Sequence, residues 1–419
     1  MRRILVSSIA CLPEGGSEGA VGWNAVLAIA ETHEVGVLTH RQNESAIEQA
    51  RARGAIPSNV SFRYLGKDKQ WHPNRLIARA QSWLRFTDYN KQVLAAALDW
   101  HKESPFDLVH QVTYATWRVP SQLWQMPIPF VWGPVGGSAV IPPAFLKRLG
   151  LKARLMESAR ALQTARTLRT KAFHDCIHNA SVVIAANEET LEFLMPHRKG
   201  LPLIQLPVAY LSPQKVARFT RDRSTAARPR PLNIFAGGNI EARKGVDMAL
   251  QALAGALRKN TEFRFHYTVA GGGPDVPRLR KLARELGIEE MVTFHPGFKG
   301  GDYIKILKKS DIYLLPSLRE TLGMTLQEAV LAGAFPIVAN TSAQGEITRM
   351  AQGDSVVADN PDTLVNGLSH ALLTAFNHRD STARRAENAS RKVAEFFSEQ
   401  RYKSILEEAY STAWHQQQA

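Results

Sequence analysis

The chain has little cysteine, with Cys11 and Cys176 alone in 419 residues. That excludes a disulfide framework and makes a reducing cytoplasm the default setting. Long apolar runs are missing as well: no stretch reaches roughly 18 apolar residues, so no segment reads as a spanning helix. Residues 1–8 are basic and then briefly apolar before Pro13-Glu14-Gly15-Gly16 interrupts them, which reads as a buried first strand, not a signal peptide. No unit of roughly 20–50 residues recurs, which excludes a solenoid. Acid is in short supply, 38 Asp+Glu against 52 Lys+Arg, for a net charge of +14. Residues 1–210 hold 24 basic and 16 acidic side chains and residues 211–419 hold 28 and 22, so the excess is spread as +8 and +6. Such a surplus suits anionic partners: phosphate-bearing small molecules, an anionic membrane surface or nucleic acid. The basic stretches lack the clustered aromatics that single-strand binders stack on, which argues against nucleic acid.

What is present is an ordinary globular composition, 44% hydrophobic and 21% charged, in a chain too long for one typical core. Two domains are expected. Apolar runs at 4–9, 35–39, 108–111, 129–132 and 182–186 alternate with helix-like segments such as 22–30, the pattern of a parallel sheet covered on both faces. Residues 207–231 are polar and proline-bounded, with Arg221, Arg223, Arg228 and Arg230, and read as a linker. A second alternation follows, with strands at 232–236, 265–270, 292–295, 312–315, 336–339 and 355–357, before helical stretches at 363–376 and 383–414.

The densest signal lies at residues 317–338, S-L-R-E-T-L-G-M-T-L-Q-E-A-V-L-A-G-A-F-P-I-V. Glu320 and Glu328 stand eight positions apart with Gly323 between them. Gly323 lets the backbone approach a ligand, and Met324 and Thr325 precede a helix start, whose unpaired N–H groups and positive dipole end suit a phosphate. Both carboxylates can face one cleft and offer acceptors to sugar or ribose hydroxyls. At these residues the chain resembles the retaining glycosyltransferases of family 4, whose signature is a Glu-x7-Glu element in a two-domain fold of the GT-B type.

Further segments fall where that family has them. In P-E-G-G-S-E-G-A-V-G-W-N, residues 13–24, the spacing departs from G-x-G-x-x-G, so a nicotinamide fingerprint is poorly matched. The family places the corresponding loop between donor diphosphate and acceptor. The resemblance therefore makes Gly16 and Gly19 donor-side candidates and Glu18 and Trp23 acceptor-side candidates. Residues 236–246, A-G-G-N-I-E-A-R-K-G-V, resemble the family's G-R-x-x-x-x-K-G, whose two cations hold the donor diphosphate. Gly238 and Lys244 match, Asn239 stands where the arginine is expected, and Arg243 is a second cation close by. Gly272 lies in a stretch resembling G-x-G-P, and Phe298 in one resembling the segment that meets the nucleobase, where His295 reads as a packed or capping residue. Residues 131–138, V-W-G-P-V-G-G-S, resemble a subgroup with a W-G-P-V-G-G loop where other members carry a histidine. Trp132 and Gly136 there, and His110 on the preceding strand, are acceptor-side candidates; His110 reads equally as a core residue.

Residues 145–171 carry eight basic side chains and only Glu157 among acids, with leucines at roughly helical spacing. They read either as a basic amphipathic helix that lies on anionic lipid or as an ordinary solvated face. The resemblance implies two doubly wound Rossmann-like α/β domains facing a cleft: residues 1–210 on the acceptor side, residues 229–395 binding the nucleotide sugar, and a last helix at about 396–419 packed back on the first. It implies transfer of a hexose-type sugar, with retention, from a nucleotide diphosphate sugar (UDP or GDP) to a glycan or lipid-linked hydroxyl in bacterial polysaccharide or lipopolysaccharide assembly. Glu320, Lys244 and Arg243 would act on the reacting sugar and leaving group. No cofactor or metal is expected, and no D-x-D pair occurs. The expected location is cytoplasmic, peripheral on the inner face of the membrane. The alternatives are a nucleotide-sugar epimerase of the same fold, or a non-catalytic basic protein that binds lipid or RNA.

Overall fold

A computed structural model describes residues 1–419 except 14–16, 68–74, 221–230, 299–300 and 419. The Val/Ile/Leu runs of the first half form seven parallel strands: β1 (Arg3–Ser8), β2 (Glu34–His40), β3 (Val60–Leu65), β4 (Leu108–Thr113), β5 (Phe130–Val135), β6 (Val182–Ala185) and β7 (Leu203–Gln205). Their order is β3-β2-β1-β4-β5-β6-β7. Strands β4, β5 and β6 are buried along their whole length, as expected of strands covered by helices on both faces. The second half forms six more: β8 (Leu232–Gly237), β9 (Phe265–Ala270), β10 (Val292–His295), β11 (Ile312–Leu314), β12 (Phe335–Ala339) and β13 (Asp354–Val356), in the order β10-β9-β8-β11-β12-β13. Both sheets are doubly wound in the same sense, with a topological switch point between β1 and β4 in one and between β8 and β11 in the other. Ligands of such sheets bind outside the carboxyl ends of the strands at that point.

The chain divides into one unit of residues 1–138, 162–210 and 399–419 and a second of residues 139–161 and 211–398. Residues 139–161 therefore leave the 1–210 run: Phe145 and Leu149 are buried in the core that holds β8 and β11. In the first unit, helix Glu399–Gln418 is anchored by Tyr410, whose hydroxyl meets His110 Nδ1 at 2.8 Å. No helix among the described residues is long and apolar enough to cross a membrane.

Three local expectations are corrected. The helix after β1 begins at Ser17, not near 22, so Gly19 and Gly22 lie inside a helix instead of a ligand-facing loop. Gly22 is required there for packing, because a Cβ would stand 2.0 Å from the Ala10 carbonyl oxygen. Trp132, Gly133, Pro134 and Val135 belong to β5 itself, not to a loop. Within the expected linker, Pro213–Phe219 forms a helix capped by Ser212 Oγ, which accepts the Lys215 N–H at 3.2 Å.

Candidate functional site

The second switch point is assembled from backbone contacts that only glycine permits. Gly238 leaves β8 at φ 132°, and Gly271 leaves β9 at φ 129°. A Cβ on Gly271 would stand 1.9 Å from the Gly238 carbonyl oxygen, and one on Gly273 would stand 2.1 Å from that of Ile240. The two loops thus run backbone against backbone. Gly272, between them, has open space around the position of its missing Cβ. Gly245, left-handed at φ 69°, brings the start of helix Val246–Lys259 against the Pro316 carbonyl, which a Cβ would approach to 2.2 Å. The same seam is closed by the Leu318 N–H donating to the Arg243 carbonyl at 2.8 Å.

That seam sets Lys244 against Glu320. Lys244 Nζ donates to Glu320 Oε1, and both side chains are largely buried. Arg243 Nη1 lies 3.8 Å from the same oxygen and donates to the Arg319 carbonyl at 2.8 Å. Arg243 Nε pairs with Glu241 Oε2 at 2.9 Å, while Asn239 Nδ2 donates to Glu241 Oε1 at 2.6 Å. Asn239 and Arg243 thus converge on one carboxylate, and the cluster holds two cations and two anions. The Glu320 N–H donates to Ser342 Oγ at 2.8 Å, and Ser342 is itself held at φ 47°.

Glu328 sits in a second cluster. Gly323, left-handed at φ 57°, starts helix Met324–Leu331, on which Glu328 lies after the first turn. Its carboxylate accepts from Tyr303 OH at 2.8 Å and pairs with Lys215 Nζ at 2.7 Å. Burial, then the Glu328 charge, holds the Tyr303 phenol well above its ordinary range, with Thr325 drawing it partly back. The two clusters adjoin, because a Cβ on Gly237 would stand 3.0 Å from Thr325 Cγ2 and one on Gly238 would stand 3.6 Å from Lys244 Nζ. The structure therefore brings Gly238, Asn239, Arg243, Lys244 and Glu320 together and sets Thr325, Glu328 and the Gly323 turn beside them. Phe298 stacks on His295 with ring centroids 3.9 Å apart, and His295 Nδ1 accepts the Gly297 N–H at 3.2 Å, so His295 caps its own turn.

The first-unit candidates are differently placed. Gly16 lies outside the described residues. The Gly19 carbonyl accepts the Leu12 N–H at 3.0 Å. Trp23 is buried and stacks on Phe62 at 6.5 Å, and Trp132 is buried in the core of the sheet. His110 is fully buried, with Nδ1 taken by Tyr410 and Nε2 donating to the Gly133 carbonyl at 2.6 Å. Burial lowers its pKa to about 4, so it is neutral and structural, not a cleft residue. Gly136 is buried and bridges to Thr116. Glu18 is the exception: burial raises its carboxyl above the ordinary range, with an opposing hydrogen bond from the Ala115 backbone.

Sequence reasoning missed Lys215, Tyr303 and Ser342. Lys215 lay in a segment read as linker, and Tyr303 lay in no motif that the sequence singled out. Ser342 could have been found, since it follows β12 at the carboxyl end of the sheet, where doubly wound folds collect functional groups.

Residues 218–392 match the family model described as Glycosyl transferases group 1. The putative colanic acid biosynthesis glycosyltransferase WcaL of Salmonella typhimurium is 28% identical over 236 residues, covering 50% of this chain and 56% of that one. Among three curated relatives, the matched stretch spans 38% to 56% of the relative's length. Sucrose-phosphate synthase from Thermosynechococcus elongatus superposes with a TM-score of 0.65 at 14% identity, over 99% of this chain and 100% of that one. Anabaena HepE in complex with UDP gives 0.59 at 14% identity, over 98% and 100%. Identities this low show the fold alone. That fold, two Rossmann-like domains with parallel sheets, is the one expected from the sequence.

Proposed function

We propose that the chain is a retaining glycosyltransferase that moves a hexose-type sugar from a nucleoside diphosphate sugar to a hydroxyl of a glycan or lipid-linked acceptor. The observation that carries this is the buried Lys244–Glu320 pair at the second switch point, adjoining the start of helix Met324–Leu331. Cleavage of the sugar–phosphate bond builds negative charge on a diphosphate. A fixed ammonium, a guanidinium and first-turn N–H groups are suited to stabilise it. Lys244 would exchange Glu320 for the diphosphate when the donor binds, freeing the Glu320 carboxylate for the hydroxyls of the transferred sugar. Glu328, steadied by Tyr303 and Lys215, would accept from the ribose hydroxyls. The retaining course is proposed on the resemblance named from Glu320-x7-Glu328, and the transfer is proposed to need no divalent cation. The group 1 match over residues 218–392, the WcaL relative and the UDP held by HepE support a nucleotide-sugar donor and a role in polysaccharide assembly.

A thermal-shift panel of UDP, GDP, ADP and their sugars tests the reading, followed by product analysis with the best donor. One sugar nucleotide should raise the melting temperature and be cleaved to free nucleoside diphosphate. No shift with any of them, or conversion of the donor into an epimer without release of diphosphate, would overturn it.

A further inference from the structure

Glu320 lies in the loop between β11 and helix Met324–Leu331, where neither a strand nor a helix fixes its main chain. Its placement comes instead from the segment that follows β12. The Glu320 N–H donates to Ser342 Oγ at 2.8 Å, and the Glu320 carbonyl accepts the Ala343 N–H at 3.4 Å. On either side, Thr341 Oγ1 and Gln344 Nε2 donate to the Ser317 carbonyl at 2.7 and 2.5 Å. Residues 317–320 are thus tied to the start of helix Ser342–Met350, with both polar groups of the Glu320 main chain taken up.

Ser342 is the residue in this set that local backbone preference does not explain. At φ 47° it is left-handed, a conformation that glycine adopts freely and a side chain disfavours. Among the described residues, Lys199 and Gln352 are the other non-glycines with positive φ, and both stand just past the end of a helix, where that conformation is common. Ser342 opens a helix instead. Backbone of this kind persists where its surroundings over-determine it, and it gathers at functional sites. What serine offers here and glycine lacks is the Oγ that takes the Glu320 N–H.

We propose that Ser342 is a positioning residue for Glu320: its hydroxyl holds the Glu320 main chain so that the carboxylate meets the second switch point in one orientation. The inference rests on the sugar-transfer reading and deepens it, because Ser342 acts through Glu320 and not on the sugar itself. A carboxylate carried on a loop is placed only as well as the groups behind it allow. Moving a reacting group by about 1 Å can cost up to about a hundredfold in rate.

The test is steady-state kinetics of Ser342→Gly and Ser342→Ala with the sugar nucleotide that the wild type cleaves, alongside titration with the nucleoside diphosphate alone. Both variants should lose about tenfold or more in turnover, while their affinity for the diphosphate stays within about threefold of wild type. Ser342→Gly removes the hydroxyl and the disfavoured backbone together, so its melting temperature should stay within a few degrees. A merely structural residue would be replaced by glycine with no loss of rate. In a Glu320→Gln background Ser342→Gly should cause no further fall, because the two residues act as one unit. Turnover of Ser342→Gly within about twofold of wild type, an equal loss of diphosphate affinity, or losses that multiply in the double variant would each overturn the proposal and leave sugar transfer standing. A wild type that cleaves no sugar nucleotide would overturn sugar transfer, and this inference with it.

Discussion

The two switch points of this molecule are built on one topology and used in opposite ways. In the first sheet the carboxyl ends of β1 and β4 are tied to each other by neutral groups. Ser8 Oγ and Thr113 Oγ1 lie 3.1 Å apart, and the Ala10 N–H donates to Thr113 Oγ1 at 3.1 Å. In the second, the ends of β8 and β11 are bridged by Lys244 and Glu320, with Arg243 alongside. Their glycines differ in the same way. Gly22 lets a helix press on the end of its own strand, whereas Gly238, Gly271 and Gly245 hold loops side by side around charged side chains. An ion pair largely out of water is a poor way to stabilise a fold, because desolvation offsets most of its Coulomb energy. A charged bridge where its twin has hydroxyls therefore points to a ligand.

The comparison breaks most visibly at the charges. Lys244→Ala or Glu320→Ala should reduce transfer by about a thousandfold, since in the proposed reading Lys244 meets the charge that develops on the diphosphate and Glu320 holds the hydroxyls of the transferred sugar. Either change also leaves the other partner of a largely buried pair uncompensated, so the melting temperature should fall too, and initial rates are compared below the transition that calorimetry records for each variant. His110→Gln in the first sheet should lower stability alone, with rates staying within about threefold. Glycines come next. Gly22→Ala drives a Cβ into the Ala10 carbonyl and should cost about 2–4 kcal/mol in denaturant unfolding, whereas Gly272→Ala enters open space and should cost less than about 0.5 kcal/mol.

His110 also sets an acid limit on the first unit. Its folded pKa, about 4, lies below the ordinary 6.5 because burial disfavours the charged ring. The unfolded chain therefore binds the proton more readily as pH falls. The stability contributed by neutral His110 is complete above 6.5 and is lost progressively down to about 4, by an amount on the order of 3 kcal/mol. Unfolding midpoints taken across that window should slope downward with acid in the wild type and flatten in His110→Gln. The smallest effect expected is none: EDTA should leave the rate unchanged, and a loss restored by Mn²⁺ would sink the metal-free reading.

Much of this was legible because period and punctuation agree. Short β-branched runs ending in glycine, each followed by a helical pattern, specify parallel strands with loops at their carboxyl ends. The pairing of Lys244 with Glu320 could be suspected from two motifs 76 positions apart, because both follow neighbouring strands of such a sheet. Less legible were the features that depend on packing. Nothing in G-G-S-E-G-A-V-G tells a loop from a helix whose glycines admit a neighbouring carbonyl. The W-G-P-V stretch reads as a turn until Gly133 and Pro134 are seen inside β5. A histidine in L-V-H-Q-V suits a cleft or a core, and its partners decide for the core: Tyr410, 300 positions away, and the Gly133 carbonyl.

The most direct measurement is calorimetric titration with a nucleoside diphosphate and its monophosphate, using whichever of UDP or GDP binds better, in wild type and in Lys244→Ala. The account predicts that the wild type prefers the diphosphate by at least about tenfold, and that Lys244→Ala loses this preference while keeping its affinity for the monophosphate. A preference that survives the loss of Lys244 undiminished would contradict it.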